Sequence, residues 1–159
     1  MTGVQTCALP IFVSAVKTTD ILDLRMSVLR DGTPSQDPRY PQDDDPDALH
    51  LGIFEDETLI ATSTWLDRPW PLDERRFAVQ LRGMAVAKTH QSRGIGGVLL
   101  RAGIERACER GATFVWARAR DLALKFYERH GFAVVGDQFT DEATGLGHHL
   151  VVLELPTSR

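Results

Sequence analysis

Residues 85–100 read AVAKTHQSRGIGGVLL, and they decide how the chain is expected to fold. An alternating segment ends at Val86, a glycine-containing turn follows, and an amphipathic helix begins at about Ile95. The N–H groups of a helix's first turn have no intrahelical partner. Those near Arg93, Gly94, Ile95, Gly96 and Gly97 therefore form, with the helix dipole, an anion site suited to a phosphate or pyrophosphate. Gly94 and Gly96 let a ligand approach the backbone, and Arg93 adds positive charge. A P-loop needs Lys-Ser or Lys-Thr after its glycines, and none follows here. A dinucleotide fingerprint starting at Gly94 fails at Leu99, and Thr113 to Arg120 contains no acidic residue to bind a ribose. The pattern Gln/Arg-x-x-Gly-x-Gly/Ala is met by Gln91-Ser92-Arg93-Gly94-Ile95-Gly96.

Upstream, Phe77 to Ala87 reads as a strand whose phase slips. Val79 and Leu81 alternate with Gln80 and Arg82, but beyond Gly83 the apolar positions are Met84 and Val86. A glycine at such a slip signals a β-bulge or a close backbone approach. Downstream, Leu99, Leu100, Gly103, Ile104 and Ala107 share one helical arc, with Arg101, Glu105, Arg106 and Glu109 opposite, and Gly111 stops the helix. Thr113 to Arg120 is a strand, with Trp116, Arg118 and Arg120 on one face. Leu122 to His130 is a short helix closed by Gly131, and Phe132–Val135 and His149–Leu155 are the last strands. Toward the N-terminus, Phe12–Lys17 is a short strand, and Thr18-Thr19-Asp20 cap a helix over Ile21–Arg30. Asp31–Asp47 is rich in Pro and Asp. Its Asp43, Asp44, Asp45 and Asp47 lack the alternation, central Gly and final Glu of an EF-hand, so the segment reads as a solvated loop. Leu49–Phe54 and Thr58–Leu66 form a hairpin. The order β-α-β-β-β-α-β-α-β-β is a mixed α/β layer without internal repeats.

The 159 residues suit one domain, read as 12–159, and 43% apolar content is globular. A net charge of −4 argues against a partner such as nucleic acid or an anionic membrane. Cys7 and Cys108 make neither a disulfide framework nor a zinc site, no metal is expected, and a cytoplasmic location is the reading. Residues 1–11 carry no charged side chain, so they lack the basic flank of a secretory signal, and no run of about 20 apolar residues could span a membrane. Thr2–Ile11 matches a translated sequencing-library adapter, so residues 1–11 read as a non-native leader.

The hexad at Gln91–Gly96, the bulge-prone strand before it and the later ALKFYERHGF (residues 123–132) together resemble the GNAT superfamily of N-acetyltransferases. Ala123, Phe126, Tyr127, Gly131 and Phe132 match its Ala-x-x-Phe-Tyr-x-x-x-Gly-Phe segment, and the resemblance spans Phe12 to Leu155. It implies a central mixed sheet of six to seven strands, flanked by helices, with a splayed central pair. It also implies acetyl-CoA as acyl donor and an amine as acceptor. By matching position, the backbone of Met84, Ala85 and Val86 would meet the pantetheine arm, and Gln91, Ser92 and Arg93 to Gly97 the pyrophosphate. Tyr127 matches the usual proton donor. Arg118 stands where relatives often carry an Asn that contacts CoA or substrate. For the general base, Glu55, Asp67, His148 and His149 are candidates, with His149 preferred. Arg82 and Trp65 are expected to face the acceptor, and Arg82 with Arg118 suggests that the acceptor carries an anionic group. A non-catalytic acyl-CoA sensor and a modifier of tRNA or ribosomal protein remain the alternatives. Members of the superfamily often form homodimers, and no apolar stripe in this sequence specifies one.

Overall fold

The computed structural model describes residues 11–156, so the leader expected over residues 1–11 lies outside them except for Ile11. The strands are β1 (Ser14–Val16), β2 (Leu49–Glu55), β3 (Thr58–Asp67), β4 (Ala78–Val86), β5 (Phe114–Arg120), β6 (Ala133–Thr140) and β7 (Gly147–Glu154). The helices are α1 (Thr18–Leu29), α2 (Ile95–Glu109) and α3 (Leu124–Arg129), with 3₁₀ turns at Lys88–His90 and Asp121–Ala123. All seven strands join one mixed sheet in the order β1-β2-β3-β4-β5-β7-β6. Only β4 and β5 run parallel. Among the described residues no helix is long and apolar enough to cross a membrane.

Local chemistry accounts for the element ends. The helix α1 starts three residues before the expected Ile21, because the Asp20 carboxylate accepts the Lys17 N–H at 3.0 Å and locks the first turn. At the other end of the pattern, Gly111 takes φ +84° and ends α2, with the Ala112 N–H bonded to the Ala107 carbonyl at 3.0 Å.

The two longer helices cover opposite faces of the sheet. Thr64 pairs with Arg82 and Trp65 with Leu81, and successive strand residues point to opposite faces. On the Thr64 face lies α1, whose Arg25 bonds the Thr64 hydroxyl at 2.8 Å. On the Trp65 face lies α2. Here Leu99 and Leu100 are fully buried with Val79, Val115 and Val151, each such side chain contributing roughly 1.5–3 kcal/mol. A β-carbon at Gly103 would sit 1.8 Å from Cζ2 of Trp65, so only glycine lets α2 come this close to the sheet.

That packing corrects one expectation. Trp65 does not face an acceptor: it is 1% exposed beneath α2, with its indole N–H donated to the Ser63 hydroxyl at 2.8 Å. The register with Leu81 is the reason, since it turns Trp65 toward the helix rather than the cleft.

The aspartate-rich segment also differs from its solvated reading. Asp43 is 5% exposed and receives both guanidinium nitrogens of the buried Arg25, at 2.8 and 2.9 Å. Arg25 further donates to the Pro38 carbonyl and the Thr64 hydroxyl. Thr64 in turn meets Nδ1 of His50 at 2.7 Å, and His50 Nε2 donates to the Asp43 carbonyl at 2.9 Å. Residues 31–47 are therefore fastened across the α1 face by one bidentate ion pair and its hydrogen bonds.

Candidate active site

The parallel pair opens partway along its length. Strands β4 and β5 are paired from Ala78↔Phe114 to Leu81↔Ala117 and no further, although β4 continues to Val86 and β5 to Arg120. On its other edge, β4 slips against β3: Thr64 opposes Arg82 and Thr62 opposes Ala85, so two residues of β4 face one of β3. The extra residue lies at Gly83–Met84, as the phase slip implied. Gly83 takes φ +60°, and a β-carbon there would lie 3.0 Å from Arg25 Nε and 3.1 Å from the Tyr40 ring. The result is a V-shaped opening in which the backbone of Met84–Val86 is free of β5.

At one mouth of the V is the loop before α2. Ser92 (φ +65°) and Gly94 (φ +79°) both adopt the left-handed conformation, turning successive backbone N–H groups toward the helix start. Gln91 ties the loop down by donating to the Val86 carbonyl at 3.0 Å. Phe126 of α3 and His130, which caps that helix, pack over Gly96 and Gly97, where β-carbons would lie 3.4 Å and 3.0 Å from them. The cavity here, about 690 Å³, is lined by Gln91, Ser92, Gly94 to Gly97 and two arginines, Arg101 and Arg129. Arg93 is exposed and outside this lining. Charge comes instead from Arg101, one helical turn beyond Gly97, and from Arg129. Burial first, then these two guanidinium charges, hold the His130 imidazole below its ordinary range.

Deeper in the V stands Tyr127. It is 6% exposed, and its ring makes edge contacts with Phe126 and Phe132 at 5.3 Å each. Arg25 Nε is the one buried side-chain polar atom left without a partner among the described residues. The unbonded Tyr127 hydroxyl therefore reaches the open cavity that it lines with Met84 and Ala119. Burial pushes its phenol up.

Beyond Tyr127 the opening leads into a second cavity, of about 360 Å³, beneath residues 31–47. Arg82 lies in it, donating to the Gln42 side-chain carbonyl at 3.1 Å with its guanidinium 4.2 Å from the Tyr40 ring centroid. Arg118 faces the same space rather than the loop before α2. It reaches Asp141 at 3.4 Å and stacks 4.9 Å from the Phe139 ring centroid.

The two histidines of β7 are separated by the sheet. His149 pairs with Ala119 and so points away from the face of Arg118 and Arg120, where Asp121 holds its Nδ1 at 2.6 Å. It lines neither cavity. His148, opposite Arg120, lines the cavity beneath residues 31–47. A carbonyl only accepts, so His148 Nδ1 carries the proton of its 3.0 Å bond to Leu146, and neutral His148 keeps a lone pair on Nε2. Of the other base candidates, Glu55 is bonded to His90 at 3.1 Å and Asp67 is clamped by Arg110 at 2.7 and 2.8 Å. Neither lines the V.

With this geometry in hand, comparison with known proteins is decisive: the model of the Acetyltransferase (GNAT) family matches residues 18–132. The chain belongs to that family. This acetyltransferase is 29% identical to an uncharacterized N-acetyltransferase of Bacillus subtilis, YitI, over 92% of its own length and 98% of the relative's. Its fold is shared with Escherichia coli ElaA (TM-score 0.75, 18% identity, 91% of this chain and 100% of the other). It is also shared with a GNAT family acetyltransferase of Elizabethkingia anophelis solved with acetyl-CoA bound (TM-score 0.64, 16% identity, 93% and 100% covered).

Proposed function

We propose that the acetyltransferase moves the acetyl group of acetyl-CoA to a primary amine by direct attack in a ternary complex. The observation that carries this reading is the parting of β4 and β5 after Leu81 and Ala117, which sets Tyr127 between an anion-binding loop and a second cavity. The pyrophosphate would rest on the N–H groups of Ser92 to Gly97, with Arg101 and Arg129 beside it. That the E. anophelis protein was solved with acetyl-CoA bound supports acetyl-CoA as the donor. The pantetheine arm would run along the free backbone of Met84, Ala85 and Val86, whose N–H groups can bond the thioester carbonyl as negative charge grows on it.

In the reaction the amine nitrogen bonds to the carbonyl carbon, the carbon–sulfur bond breaks, and the sulfur takes a proton while the nitrogen loses one. Tyr127 is the donor to sulfur. Its raised phenol is protonated throughout the neutral range, and burial raises a departing thiolate in the same sense, which keeps the transfer balanced. The acceptor's proton falls to His148 Nε2, directly or through one water, in place of His149.

Replacing His148 by Gln is expected to lower amine-dependent thiol release roughly a hundredfold. An unchanged rate would return the base role to solvent. Thiol release from acetyl-CoA that no amine stimulates would overturn acetyl transfer itself.

A further inference from the structure

The chain carries a net negative charge, yet its acceptor-side cavity is cationic. Arg30, Arg39, Arg82, Arg118 and Arg120 line it, against Asp37 and Asp141. Their partners are weak ones for guanidinium groups. Arg30 donates to the Asp37 backbone carbonyl at 2.8 Å, and Arg120 to the Leu29 carbonyl at 2.6 Å. Arg82 has an amide oxygen and an aromatic ring. Asp37 is turned to the Arg39 backbone N–H, and Asp141 also serves Thr144. Of these five arginines, only Arg118 has a carboxylate of the described residues within 4.0 Å, at 3.4 Å.

Such a surplus is costly where the side chains are withdrawn from solvent, as at Arg82 and Arg120, because these guanidinium groups lose water without gaining a carboxylate partner. Burial holds Arg82 below its ordinary range, and the neighbouring charges of Arg118 and Arg25 add to this. Burial does the same to Arg120, with Arg30 adding to it. An anion entering the cavity relieves all of these at once. That anion is not the donor's pyrophosphate, whose loop lines a separate cavity sharing only Phe126 with this one.

We infer that the acceptor is an amine bearing a carboxylate, of the amino-acid type, with Arg82 and Arg118 holding the carboxylate and Arg30 and Arg120 supplying the surrounding field. This rests on the acetyl-transfer reading above and names its substrate class. A planar, two-oxygen anion suits the forked donors of arginine, and a cavity of about 360 Å³ suits a small molecule. The product is then an N-acetylated amino acid.

The test pairs turnover with binding on the full chain. Free L-amino acids are compared with their amides, with the decarboxylated amines, and with O-phosphoethanolamine, by thiol release from acetyl-CoA. Calorimetry then follows N-acetylglycine and N-acetylglycinamide binding to the CoA-loaded protein. Carboxylate-bearing amines are expected to exceed their amides about ten- to a hundredfold in kcat/KM, and N-acetylglycine to bind where its amide does not. Arg118→Gln and Arg82→Gln should each raise KM for the amino acid while leaving the KM for acetyl-CoA unchanged. Equal use of amides, preference for polyamines or for the phosphorylated amine, or absence of N-acetylglycine binding would overturn the carboxylate assignment. These outcomes leave acetyl transfer standing, which fails separately if acetyl-CoA itself does not bind.

Discussion

Tyr127→Phe is expected to lower kcat by about two to three orders of magnitude while acetyl-CoA affinity stays within about twofold. The substitution removes one oxygen and keeps the ring, so the edge contacts with Phe126 and Phe132 survive and the fold is undisturbed. What is lost is the Tyr127 hydroxyl in the cavity that it lines with Met84. If Tyr127 were only a packing residue, phenylalanine would serve equally well and kcat would hold. The pH profile gives a second reading. Burial raises the phenol, so loss of its proton lies above the neutral range, and the wild-type rate should show no fall from this group through neutral and mildly alkaline pH.

The second large effect is on stability. Asp43→Asn leaves Arg25 charged, 1% exposed and without its carboxylate, and breaking a buried pair in this way costs about 3–5 kcal/mol. In a domain of this size the melting temperature should drop by on the order of 10 °C, measured by calorimetric unfolding. A drop of about one degree would show that the pair is solvated in solution. The pH dependence has a definite sign. Burial pushes the Asp43 carboxyl up. The Arg25 hydrogen bonds, the Tyr40 N–H and the Arg25 and His50 charges outweigh burial and hold it below the usual carboxylate range. Its contribution to stability is therefore present above the unfolded carboxylate value near ~3.9 and is lost as pH falls through the lower folded value. Function should follow stability here, because the same pair fastens the segment carrying Tyr40 and Gln42 over Arg82.

Features that depend on neighbouring residues in the chain were legible in the sequence. The hexad Gln91–Gly96 and the phase slip at Gly83 are local backbone statements, and the loop and the bulge stand where they were read. The order of strands and helices followed for the same reason. Features that depend on distant partners were not legible. Arg25 and Asp43 are 18 positions apart, and an aspartate in a proline-rich stretch looks solvated until a buried guanidinium arrives from α1. Arg101 fell on the charged arc of α2, yet the helix start turns it toward the loop. Trp65 sits in a strand buried on both faces over most of its length, where alternation carries no direction. His149 illustrates the sensitivity of a strand to register. The last strand begins at Gly147, two residues earlier than read, and adjacent histidines necessarily take opposite faces. One residue separates a side chain bonded to Asp121 from one open to the cleft.

The most direct measurement is calorimetric titration of the full chain with acetyl-CoA, beside a variant carrying Arg101→Glu and Arg129→Glu. The expected result is one-to-one binding in the low-micromolar range for the natural chain, weakened at least about tenfold in the charge-reversed variant. A folded chain that takes up no acetyl-CoA, or one whose affinity ignores both reversals, would contradict the assignment of the loop before α2 as the donor's anchor.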